Sequence, residues 1–130
     1  MNSALKVLYV DEQATPLEPL KLLLEMTADM QVEVASTLKE GMAMISDGQI
    51  DVVIYGCRKG DNACIEYLRK LRIEGHDIPV VMLSDAYNEK LRDEVLKLSN
   101  IAYMSRGDNP TKELILLTET IRGLLGRNLN

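Results

Sequence analysis

Leu5-Lys6-Val7-Leu8-Tyr9-Val10-Asp11-Glu12 opens the chain with an apolar run that ends on two carboxylates. The same design returns at Ile50-Asp51-Val52-Val53-Ile54-Tyr55-Gly56, where three β-branched residues stand in a row. Runs this short and this apolar read as strands covered on both faces, the pattern of a parallel sheet rather than of a half-exposed antiparallel one. Working outward, residues 31–35 alternate as a short strand, and residues 78–83 and 101–104 are two more apolar runs.

Between the strands the period switches to that of a helix. Thr15-Pro16-Leu17-Glu18 reads as a capping box ahead of Leu20, Leu23 and Leu24, and Thr37 with Glu40 opens a helix that Asp47-Gly48 closes. Ile65, Leu68 and Leu71 carry a third helix up to Gly75, and Leu91, Val95 and Leu98 a fourth. Asn109-Pro110 caps a last one with Leu114, Leu117, Ile121 and Leu124 inward. Five strands alternating with five helices predict an α/β fold with an open, doubly wound parallel sheet, since five units are too few for an eight-stranded barrel. Residues 1–126 read as one domain and 127–130 as a C-terminal tail.

Composition narrows the function. The chain has 130 residues, 15 Lys+Arg against 20 Asp+Glu, and a net charge of −5, which argues against binding nucleic acid or anionic lipid. No apolar run approaches the roughly 20 residues of a membrane helix, and no leader precedes the first strand, so a cytoplasmic protein is expected. Two cysteines, Cys57 and Cys64, are too few for a disulfide framework or a four-ligand zinc site, and reduced thiols are expected. His76, in Glu74-Gly75-His76-Asp77, reads as an exposed loop residue.

In open α/β sheets the site lies beyond the carboxyl ends of the strands, which draws Asp11, Glu12, Gly56, Ser84, Asp85 and Arg106 toward one crevice. Adjacent carboxylates there suit a hard divalent cation such as Mg²⁺. No glycine-rich loop follows the first strand, so the phosphate cradle of a dinucleotide or P-loop site is missing.

Lys6-Val-Leu-Tyr-Val-Asp11-Glu12, Asp51-Val-Val-Ile-Tyr-Gly56, Ile78-Pro-Val-Val-Met-Leu-Ser84 and Ile101-Ala-Tyr103-Met-Ser-Arg106 resemble, in order and spacing, the strands of CheY-like response-regulator receiver domains of two-component signalling. The resemblance spans nearly the whole chain and implies strand order 2-1-3-4-5. In that family an acidic pair after the first strand binds Mg²⁺, and an Asp ending the third strand takes a phosphoryl group from a histidine kinase. A Thr or Ser ends the fourth strand, and a Lys follows the fifth, three residues after an aromatic switch. Asp11 and Glu12 match the acidic pair, Ser84 the hydroxyl and Tyr103 the switch. Gly56 falls at the acceptor, Arg106 replaces the Lys, Arg58-Lys59-Gly60-Asp61 replaces the usual turn, and Asp85 stands where Ala or Gly is usual.

The resemblance therefore implies a degenerate receiver: no enzyme, no catalytic residue, no cofactor beyond weak Mg²⁺ on Asp11 and Glu12, and signalling through protein contacts. The expected surface is the fourth helix, fifth strand and fifth helix, with Tyr103, Arg92 and Arg122. The expected partner is a histidine kinase, another receiver or a second copy of the chain. Two other readings stand beside it: an active receiver phosphorylated at Asp61 or Asp85, and a flavodoxin-like small-molecule binder.

Overall fold

Val52, Val53 and Ile54 are fully buried, as a run of β-branched residues in the middle of a parallel sheet must be. The computed structural model describes residues 4–15, 18–58, 62–107 and 109–129. Its elements alternate without exception: β1 (Leu5–Val10), α1 (Pro19–Thr27), β2 (Met30–Ala35), α2 (Leu38–Ser46), β3 (Val52–Cys57), α3 (Asn62–Ile73), β4 (Val80–Ser84), α4 (Glu89–Val95), β5 (Ile101–Ser105) and α5 (Pro110–Leu129). All strand pairings are parallel, and the order is β2-β1-β3-β4-β5. This is the doubly wound α/β sheet that the alternation predicts.

Successive strand residues point to opposite faces, and the core divides accordingly. Leu8, Val10, Val53, Tyr55, Val80 and Met82 pack under α2, α3 and α4 with Ile45, Leu68, Leu71, Leu91 and Val95. Val7, Tyr9, Val52, Ile54, Val81 and Leu83 pack under α1 and α5 with Leu20, Leu24, Leu117, Ile121 and Leu124.

Local signals account for most helix ends. Thr37 caps α2 by accepting the Glu40 amide at 3.1 Å, and Gly48 closes it with φ +77°. Asn109 caps α5, its Oδ1 accepting from the amides of Thr111 and Lys112. Three boundaries differ from expectation. Helix α1 starts at Pro19, with Glu18 at its N-cap and no side-chain cap, rather than at Thr15. The Thr15 carbonyl accepts from the Glu18 amide at 3.0 Å, ahead of the helix; Pro16 and Leu17 lie outside the described residues. Strand β3 runs through Gly56 to Cys57, because Gly56 pairs with Leu83 and Cys57 with Ser84. Helix α5 continues to Leu129, into the residues read as a tail. No helix among the described residues is long and apolar enough to cross a membrane.

Candidate functional site

The register Val10↔Tyr55 and Cys57↔Ser84 brings the carboxyl ends of β1, β3 and β4 side by side, and Arg106 follows β5 with its amide donating to the Ser84 carbonyl at 2.7 Å. Of the residues drawn together from sequence, Asp11, Asp85 and Arg106 join in one network beside Gly56, while Ser84 bonds elsewhere and Glu12 stands at the edge of the pocket. Asp11 is fully buried, Glu12 is exposed, Ser84 is buried, and Asp85 and Arg106 lie at the rim.

Asp11 is the centre. Its Oδ1 accepts from the Gln13 amide at 2.9 Å and from Arg58 Nε at 3.1 Å. Its Oδ2 accepts from the Tyr9 hydroxyl at 3.0 Å and lies 2.8 Å from Arg58 Nη2. A carboxylate offers about four lone-pair positions, and here four donors of the protein itself fill them. The Arg58 fork is bidentate, the strongest form of this pairing, and the hydrogen bond to Asp11 raises the Arg58 guanidinium above its ordinary range.

Arg106 forms the outer half of the network. Its Nη2 donates to the Tyr9 hydroxyl at 2.6 Å and sits 3.8 Å from Asp11 Oδ2; its Nε is 3.2 Å from Asp85 Oδ1, and its Nη1 is 3.9 Å from Glu113 Oε1. Arg58 Nη1 also reaches Asp85 Oδ2, at 3.9 Å. Tyr9 thus relays between Arg106 and Asp11. Burial is the main reason its phenol titrates well above the ordinary range; Arg106 opposes the shift and Asp11 adds to it. Tyr9 therefore remains a neutral donor. Tyr9 escapes a search confined to strand ends, although period-two spacing from Asp11 along β1 is a legible sign for it; Arg58 is legible only as part of the unusual turn after Gly56.

Gly56 lies against this carboxylate. A Cβ placed on Gly56 would overlap Asp11 Oδ2 and stand 2.9 Å from Asp11 Cγ. The position is filled from the side by Asp11, so it tolerates no side chain without displacing Asp11.

The hydroxyl and aromatic residues form a second cluster. Ser84 Oγ donates to the Ala86 carbonyl at 2.6 Å, and the Tyr103 hydroxyl donates to the same oxygen at 3.3 Å while accepting from the Asn88 amide at 3.0 Å. Tyr87 packs edge-on against Tyr103 with ring centroids 6.0 Å apart. Tyr103 thereby ties β5 to the start of α4. Arg92 is exposed on α4, 3.4 Å from Asp93, and Arg122 is exposed on α5. Asp61 lies outside the described residues, and among the described residues no three acidic, His or Cys side chains gather as a metal site would need.

The cysteines depart from expectation. Cys57 and Cys64 are joined in a disulfide, their Cα atoms 6.0 Å apart, which lies within the range such a bond requires. Two cysteines make no framework, which is why the sequence alone points to free thiols. Their placement is what brings them together, Cys57 at the end of β3 and Cys64 in the first turn of α3.

The response regulator receiver domain family model matches residues 7–113. Among solved structures, the chain is similar to a CheY-like response regulator receiver domain protein from Methanospirillum hungatei JF-1, at 22% identity and TM-score 0.76 over 96% of this chain and 99% of that one. It is similar to the response regulator domain of Thermotoga maritima CheB, at 21% identity and TM-score 0.78 over 95% and 97%. It is also similar to HP1043, an orphan response regulator of H. pylori, at 14% identity and TM-score 0.75 over 96% and 99%. No curated protein matches the chain.

Proposed function

The chain belongs to the response regulator receiver domain family, and we propose that it is a receiver of two-component signalling that works without phosphorylation, through protein contacts alone. One observation carries the reading. Gly56, matching the acceptor position, has no carboxylate to phosphorylate, and the space beside it is taken by an Asp11 already saturated by four donors.

The same saturation argues against a metal. A cation at Asp11 would have to displace Arg58 and enter beside two guanidinium groups, while Glu12 alone offers one exposed carboxylate. Asp11, Glu12 and Gly56 do not fit Mg²⁺, and Arg58 takes the place that a cation would hold. Asp85 is engaged by Arg106 and Arg58, which disfavours it as a substitute acceptor. In this reading the outward face of α4, β5 and α5 meets a kinase, a second receiver or another copy of the chain, with Tyr103 held in one position by its two hydrogen bonds. A cytoplasmic location goes with it.

Incubation with acetyl phosphate and Mg²⁺, followed by intact-mass measurement, tests the reading. The mass is expected to stay that of the unmodified chain. Gain of one phosphoryl group would overturn it.

A further inference from the structure

The Cys57–Cys64 disulfide closes the connection that carries Arg58. Cys57 is the last residue of β3, and its carbonyl accepts the Asp85 amide at 3.1 Å; Arg58 follows at once and clamps Asp11; Cys64 anchors the far side of the connection in α3. The clamp and the disulfide therefore belong to one short closed loop. Cys57 and Cys64 are both buried, at 1% and 6% exposed, and Cys64 also lines a crevice of about 350 Å³ together with Asp11, Glu12 and Arg58. Of the two cysteines, Cys64 is therefore the one that borders the pocket in which Arg58 pairs with Asp11.

We infer that Cys57 and Cys64 form a thiol–disulfide switch, in which a dithiol reductant opens the loop and releases Arg58 from Asp11. A thiolate of the reductant attacks Cys64 Sγ, the Sγ–Sγ bond breaks, and Cys57 leaves as a thiolate that takes a proton from water. The second thiolate of the reductant then attacks its own sulfur in the mixed disulfide. Cys64 is released as a thiolate and protonated, the reductant ends as a disulfide, and the protein has gained two electrons and two protons. The reverse step needs an oxidant of the same class, a disulfide. The switch rests on the phosphorylation-independent reading only in giving this receiver an input where a phosphoryl group has no acceptor.

Reduction leaves the sheet intact, because β3 is held by its ladders to β1 and β4. Its effect falls on the connection and on the pairing of Arg58 with Asp11. The test follows the Arg58 Nε–H proton by NMR in the full-length chain, purified without reductant, before and after addition of dithiothreitol. Arg72, at the opposite end of α3 from Cys64, whose Nε donates to the Ser99 carbonyl, is the internal control. Arg58 Nε–H is expected to exchange at least about tenfold faster after reduction, with Arg72 unchanged. Cys64→Ser without reductant should reproduce the reduced state.

Iodoacetamide labelling of both cysteines in chain never exposed to reductant would overturn the switch, as would an Arg58 signal indifferent to dithiothreitol. If Cys64→Ser does not fold, the two wild-type measurements decide alone. A phosphoryl adduct in either redox state would refute the phosphorylation-independent reading and leave the switch standing.

Discussion

Asp11 is a buried charge with four donors, and Arg58 supplies two of them. Removing that fork leaves the Tyr9 hydroxyl and the Gln13 amide in place, so Arg58→Ala is expected to cost roughly 1–3 kcal/mol rather than to abolish folding. Urea titration reads this directly, and a loss below about 0.5 kcal/mol, the level of an ordinary surface change, would show the clamp to be ornamental. At Gly56 the cost has the opposite origin, overfilling rather than loss. Gly56→Ala pushes Asp11 aside and is expected to destabilise by about 1–3 kcal/mol. Gly56→Asp adds a second carboxylate to the same crowding. Phosphorylation of Gly56→Asp by acetyl phosphate should therefore be slow, and faster once Arg58→Ala is added; equal rates in the single and double variants would refute the crowding argument.

Two elements depend on single hydrogen bonds or links. Tyr103 reaches from β5 to accept the Asn88 amide at the start of α4, a helix of only seven residues. Tyr103→Phe should cost about 0.5–1.5 kcal/mol and speed amide exchange at Asn88 while leaving β5 protected. Unchanged exchange at Asn88 would show that the Asn88 side-chain cap on the Leu91 amide suffices. Opening the Cys57–Cys64 link frees a loop with a sequence separation of 7. Loop-closure entropy puts the loss of stability near 2–3 kcal/mol, read as a lower urea midpoint in dithiothreitol.

Element boundaries also mark where sequence reading stops. Helices α2 and α5 carry side-chain caps that the sequence announces, and their starts were legible. Helix α1 has none, and the Thr15-to-Glu18 pattern predicts a helix start ahead of the observed one at Pro19. Glycine usually ends an apolar run, yet Gly56 continues β3 because Leu83 on β4 pairs with it, a partner no local pattern discloses. The disulfide and the Arg58–Asp11 pair share that obstacle: each joins residues whose meeting depends on where loops close. Arg106, reached through strand order alone, was found from sequence, although its tightest partner is Tyr9 rather than Asp11.

For the whole molecule, strand alternation was enough to specify the sheet, and the sheet order then gathered Asp11, Gly56, Ser84, Asp85 and Arg106 at one end. What the molecule does with that end depends on whether a phosphoryl group can enter. If the outward face of α4, β5 and α5 is the working surface, charge reversals at Arg92 and Arg122 should weaken association or partner binding at least severalfold, equally with and without phosphodonor. Sedimentation of the wild-type and reversed chains measures this, and unchanged association would place the contact elsewhere. The most direct measurement is the two-dimensional amide spectrum of the unmodified chain, recorded before and after acetyl phosphate and Mg²⁺ are added. The resonances of Ser84, Ala86 and Tyr103 are predicted to stay in place, since no acyl phosphate forms to draw the Ser84 hydroxyl away from the Ala86 carbonyl. A joint shift of those three would contradict the account.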